Sequence, residues 1–456
     1  MIDILKHRDY RRLFSAQILS LAGTGLMTVA LAILAYDLSG ENAGIVLGTV
    51  LGLKMVAYVG FAPIAAALAR RFDLKKYLVA LDLARVGLVL FLPFVDQVWQ
   101  VYCLVFAFQL CSASFTPAFQ SVIPDILPDE KSYTRALSLS RLAYDMESLL
   151  SPILAGLLLS FIVFNNLFLA TAAGFLCSAA FVLSTSLPAG RNAQAAEPFS
   201  ARLTKGFRIY VKTPRLHGLF FVGLAVSCVG AWVLVNSVVY VREVLGGSDK
   251  DFTFVMAAYG FGSMLVAVTL PRLLDTLDPR TPMLAGAFLL GLLPVAILVR
   301  PDMTGVLALW LLLGMAMSLA LTPGGILLRR SSHSEDRPAL YAAQFSLSHS
   351  GWLLTYPLAG WLGASAGMET SFLLMGGGAL LFGAFACLVW PASDPLELTH
   401  THQALVHDHA HVHDEHHDHD HLGWEGHAPL AHAHRHRQIT HSHHFVIDAH
   451  HPVWPA

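Results

Sequence analysis

The chain has 456 residues, 55% hydrophobic and 13% charged, with a formal net charge of −2 at pH 7. Soluble domains carry about a quarter charged residues, so this composition, with a mean hydropathy of +0.58, excludes an ordinary soluble enzyme. The near-neutral balance speaks against a nucleic-acid partner. Cys103, Cys111, Cys177, Cys228 and Cys387 lie in apolar segments and form no Cys-x-x-Cys pair, which excludes a disulfide scaffold and a thiolate metal relay.

At the start, Lys6, His7, Arg8, Arg11 and Arg12 lead into an apolar segment of spanning length without a cleavage-site pattern, so no cleavable signal peptide is expected. Apolar segments of about twenty residues, enough to cross a bilayer, then recur at 14–36, 44–69, 77–95, 99–120, 137–160, 163–187, 216–242, 252–271, 281–299, 304–326, 339–364 and 370–390. The expectation is an all-α integral membrane protein of twelve transmembrane helices, the fourth ending near Pro117, Pro124 and Pro128. Twenty-four Lys and Arg fall in one set of alternating loops and termini, and only Arg242, Lys250 and Arg300 in the other. By the positive-inside rule both termini are cytoplasmic, in a multi-pass cell-membrane protein.

Within the first half, Gly44, Gly48 and Gly52 repeat every four residues, a pattern for close helix packing. Buried charges are expensive in a membrane and each calls for an explanation. Lys54 sits near the middle of the second span, where it either neutralises an acid or forms a fixed interhelical pair. Asp82 and Arg85, three apart on the third span, read as structural gating charges. Gln109, Cys111, Ser112 and Asn236 could line a pathway or simply hydrogen-bond between helices; Met256, Met315 and Met317 could be soft ligands or packing residues. Asp145 and Glu147 lie in the fifth span, about 200° apart around the helix, so only one is expected to face a central cavity. Their carboxylates suit a divalent cation and a proton; the competing reading pairs one of them with Arg141.

The chain divides into a first bundle (1–187), a linker (188–215), a second bundle (216–390) and a tail (391–456). The halves echo each other: Ser151-Pro152-Ile153-Leu154-Ala155-Gly156 has a counterpart in Tyr356-Pro357-Leu358-Ala359-Gly360. Aligning Gly156 with Gly360 sets His349 at the position of Asp145, an imidazole and a carboxylate on related helices; the alternative for His349 is a hydrogen-bonded packing histidine. Two repeated six-helix halves joined by a longer loop is the plan of a secondary transporter, expected to act as a monomer, without a cofactor. No Gly-x-x-x-x-Gly-Lys-Ser/Thr loop points to ATP drive.

The tail holds nineteen of the 23 histidines. They cluster at His407, His409, His411, His413, His416, His417, His419 and His421, then His432, His434 and His436, then His441, His443 and His444. Neutral imidazole with scattered carboxylate suits zinc, nickel, cobalt or copper(II). With few large apolar residues the tail is expected to be a disordered chelating strip with a reach of about 40 Å. The bland readings are a solubilising tail or a tag, against which the interleaved Asp, Ala, Val and Arg residues speak.

Arg8-Asp9-Tyr10-Arg11-Arg12-Leu13-Phe14 resembles the opening of drug and siderophore exporters of the major facilitator superfamily. Ala66-Ala67-Leu68-Ala69-Arg70-Arg71-Phe72-Asp73-Leu74-Lys75-Lys76 sits where that superfamily's Gly-x-Leu-Ala-Asp-Arg-x-Gly-Arg-Arg loop belongs, with Ala66 for the Gly, Arg70 for the Asp and Leu74 for an Arg. With the histidine tail, the chain resembles bacterial nickel-resistance exporters of this superfamily. The resemblance implies a major facilitator fold and proton-coupled export of Ni(II), or of Co(II) or Zn(II). The alternative is export of an organic compound, drug or metal chelate, with the tail responding to metal. A third reading is a membrane-tethered metal buffer without transport.

Overall fold

The computed structural model describes the chain except residues 1, 62–72, 128–131, 133–135, 137–138, 141–142, 144–146, 148–150, 152, 187–198, 275, 333–335, 394–396, 403–405, 412–429, 436–438, 448–453 and 455–456. The first half comprises α1 (Arg8–Ser39), α2 (Ala43–Val56, continued by a π-turn to Phe61), α3 (Leu74–Phe91), α4 (Val98–Ile126), α5 (described in part from 132 and continuous over 153–159) and α6 (Asn165–Ser184). A linker helix, Phe199–Lys212, precedes α7 (Pro214–Val239), α8 (Asp249–Leu273), α9 (Arg280–Leu292), α10 (Met303–Leu321, followed by a short helix Gly324–Arg330), α11 (Arg337–Ala366) and α12 (Met368–Val389).

Among the described residues, nine segments are long and apolar enough to cross a membrane, the first of which, Arg8–Phe61, contains both α1 and α2. α11 has the length but is the polar member, carrying Gln344, Ser346, Ser348, His349, Ser350 and Thr355. The fourth helix ends within the expected proline region: it passes the apolar segment's end at 120 and runs through Pro117 and Pro124 to Ile126, two residues before Pro128. A bilayer-spanning helix tolerates proline because neighbouring helices and side chains satisfy the freed carbonyls. Part of the 66–76 loop lies outside the described residues; its end does not, and the Asp73 side chain caps α3 by accepting from the Lys76 N–H at 3.0 Å.

The two halves pack by the same scheme. In the first, α6 packs on α1 and α3, and α4 on α2 and α3; in the second, α12 packs on α7 and α9, and α10 on α8 and α9. Each pair recurs with every helix number raised by six, so the echo in the sequence is an echo in space. The halves meet through α2 on α11. There the glycine stripe of α2 lets the backbones touch: a Cβ on Gly48 would stand 2.5 Å from the Tyr356 carbonyl oxygen, and one on Gly52 3.1 Å from Pro357 Cγ. Gly360 abuts the backbone of Gly44, while Gly156 of α5 abuts Thr253 of α8, 2.8 Å from the would-be Cβ. α5–α8 and α11–α2 are the same relation under the repeat, so the Gly156–Gly360 alignment holds in three dimensions. At the end of α1, Tyr36 donates to Glu243, and the Arg242 guanidinium lies 4.5 Å over the Tyr36 ring and pairs with Asp249. These contacts close the end of the molecule away from the linker helix.

The linker helix packs on α11. The Tyr210 hydroxyl donates to Gln344 at 2.6 Å and burial pushes its phenol pKa up; Lys205 pairs with Asp336. Four short segments of the tail are described. β1 (Glu397–His402) pairs antiparallel with β4 (Ile439–His444), and β2 (Val406–His411) with β3 (Leu430–Arg435). One register runs through both ladders. The reason is readable in retrospect: His-x-His alternation with interspersed Thr, Val and Ile is a period-two pattern, the pattern of a strand.

Candidate functional site

Lys54, on the last turn of α2, carries the site. Its charge acts on Glu147 of α5 and on His349 of α11, so a cation and an acid of the first half and an imidazole of the second share one locus. Lys54 Nζ lies 5.9 Å from the centre of the Tyr58 ring, which is stacked at 6.3 Å on the His349 ring. His349 is stacked on its other neighbour, Phe345, at 3.8 Å, and its Nδ1 bonds the Phe345 carbonyl at 2.7 Å. With Nδ1 engaged by a carbonyl one turn back, the ring is oriented and Nε2 is the nitrogen left to meet a ligand. Trp352 and Tyr356 follow one and two turns further along α11, their rings 5.0 Å apart. Glu147 projects beside α1, its Oε1 3.5 Å from where a Cβ on Gly25 would stand.

Sequence reasoning named Lys54, Glu147 and His349, and the fold brings them together. Asp145, the other acid, and Arg141, its proposed alternative partner, lie outside the described residues. The aromatic members Tyr58, Phe345, Trp352 and Tyr356 went unnamed; the signal was their three-to-seven-residue spacing from Lys54 and His349, one or two helical turns.

Asp82 and Arg85 are placed differently. Asp82 is fully buried and Arg85 is 2% exposed. They pair with each other, Ser178 donates to Asp82 at 2.8 Å, and Arg85 donates to Ser20 at 3.2 Å. The guanidinium is held between the rings of Phe115 and Phe175, 4.3 and 4.4 Å away. Every one of these partners belongs to the first half. The remaining candidates settle as packing groups: Asn236 donates to the Ala359 carbonyl at 2.9 Å, and Met256 and Met317 lie in the apolar core. Gln109 and Ser112 are buried, at 6% and 5% exposure. Among the described residues no group of three or more His, Cys, Asp or Glu is disposed to hold a metal ion.

Two bundles related by a repeat, meeting along α2 and α11 with charges at the seam, define a membrane transporter of the alternating-access kind. The family model of the Major Facilitator Superfamily matches residues 13–299 and 220–437, and the chain belongs to that superfamily. It is 26% identical to the MFS-type transporter YfiS of Bacillus subtilis (strain 168) over 50% of this chain and 56% of that one. To the multidrug efflux pump Tap of Mycolicibacterium fortuitum it is 24% identical over 80% of this chain and 91% of that one. To macrolide efflux protein A of Streptococcus pyogenes it is 25% identical over 46% of this chain and 53% of that one. The chain thus spans little more than half the length of two of these three relatives. In fold it is similar to a bacterial homologue of the lysosomal transporter Spinster (TM-score 0.64, 16% identity, 84% of this chain and 97% of that one) and to a D-xylose–proton symporter (TM-score 0.64, 13% identity, 84% and 98%).

Proposed function

We propose that the protein is a secondary-active exporter whose cargo is an amphipathic organic compound, a metal chelate included, and whose tail answers to divalent metal. The observation that carries this is the composition of the seam. Lys54 and His349 flank the Tyr58 ring and His349 stacks on Phe345, with Glu147 within reach of the Lys54 charge, a mixture of rings and charge that suits a ring-bearing compound with a charged group better than a bare ion. The similarity to macrolide and multidrug efflux proteins supports the same cargo class. Both termini are read as cytoplasmic from the loop charges, and proton antiport is the coupling, with Glu147 or Asp145 exchanging a proton against cargo.

The second reading, direct efflux of Ni(II), Co(II) or Zn(II) conferring metal resistance, is favoured by the tail register. It sets His400 opposite His441, His407 opposite His434 and His409 opposite His432. Histidine opposite histidine along a backbone ladder is the donor type such ions take. The test is uptake into inverted vesicles driven by a proton gradient. An organic-compound exporter concentrates a macrolide or a cationic dye and takes up radioactive nickel only with a chelator. A metal exporter takes up nickel alone and ignores the organic compounds.

A further inference from the structure

We infer that the last residues of the chain are a clasp that docks the tail onto the linker-side end of the second bundle, so that the histidine strands form a loop fastened at both ends. Beyond β4 the chain does not trail into solvent. Phe445, Val446 and Ile447 are 2%, 1% and 2% exposed, and Phe445 and Ile447 belong to the same apolar core as Leu216 of α7 and Leu327 and Leu328 of the short helix after α10. Such burial is not available to a strip of Asp and His; it needs the one run of large apolar residues the tail possesses. Trp454 packs edge-on against Phe445, ring centres 5.1 Å apart, and its own face meets the Arg215 guanidinium at 4.9 Å.

Arg215 occupies a mechanically important position. It is the second residue of α7, a helix that Thr213 alone separates from the linker helix, and it is 1% exposed. Its Nη1 donates to the Arg330 carbonyl at 3.3 Å, at the end of the short helix. Trp454 therefore lies on a side chain that ties the start of α7 to the end of the α10 segment. At the other end of the tail, Trp390 is 1% exposed and its carbonyl accepts from Arg280 Nε at 3.2 Å. Histidine strands strung between two such anchors stay beside the α7 junction, instead of sweeping the volume open to a chain tethered at one end. The inference does not depend on which cargo the carrier moves.

Hydrogen–deuterium exchange on the full-length detergent-solubilised protein tests it, because each segment is read peptide by peptide. In the unaltered protein the amides of 445–447 should exchange slowly. Trp454→Ala should speed them about tenfold and also loosen the peptide covering Arg215 and Leu216, while Trp454→Phe, which keeps a ring, should change both little. Exchange of 445–447 at unstructured rates in the unaltered protein would overturn the clasp. So would a Trp454→Ala effect confined to the tail peptide, which would mean the tail folds on itself without docking.

Discussion

The molecule holds two sets of buried charge, and the structure separates them by whom they touch. Asp82 and Arg85 are sealed inside the first half, satisfied by Ser20 and Ser178 and clamped by Phe115 and Phe175. Lys54, Glu147 and His349 are half-buried and divided between the halves, where the seam must open and close. A charge cluster inside one rigid body holds that body together. One shared between two bodies changes its surroundings each time they move, which is what coupling requires.

The first way to break the comparison is at the seam itself. Gly48→Leu puts a branched side chain where even a Cβ would stand 2.5 Å from the Tyr356 carbonyl. Transport in vesicles should fall to background while the folded yield, read by size-exclusion chromatography, stays near that of the unaltered protein. The second breaks the sealed pair. Asp82→Ala strands a buried guanidinium, a loss of about 3–5 kcal/mol, so the protein should melt well below the unaltered one, and the molecules that do fold should still transport. The third sharpens the seam: His349→Ala removes one stacked ring and one nitrogen, and export of an organic compound should drop about tenfold. Smallest is the tail. Deleting 391–456 should lower metal tolerance in part and leave export of an organic compound near normal. Metal held by the full-length protein should fall as pH drops through about 6.5, because a protonated imidazole cannot ligate; titration calorimetry at pH 7.5 and 5.5 reads this directly.

Much of this was legible in the residues. Hydropathy located the spans, the glycine stripe foretold close packing on α2, and the Gly156–Gly360 echo predicted which helices are equivalent. That α4 runs on past residue 120, through Pro117 and Pro124 to Ile126, reflects a proline cost that depends on neighbours a local reading does not see. In the tail the period-two alternation of histidines runs with the strand register, and Phe445-Val446-Ile447, the apolar run at its end, is buried. Spacing set the Asp82–Arg85 pair apart as structural charges but could not say which body holds each set. Both read as charges in helices, and only the packing of α3 against α6 and of α2 against α11 assigns them to one body or two.

The central claim is that cargo moves through the seam at Lys54, Glu147 and His349, and Glu147→Gln addresses it most directly. Proton-driven uptake into inverted vesicles is compared for the unaltered protein and this isosteric variant, at equal amounts of folded protein. The account predicts at least a tenfold loss of driven transport, with cargo binding retained when no gradient is applied. Undiminished driven transport by Glu147→Gln would contradict it.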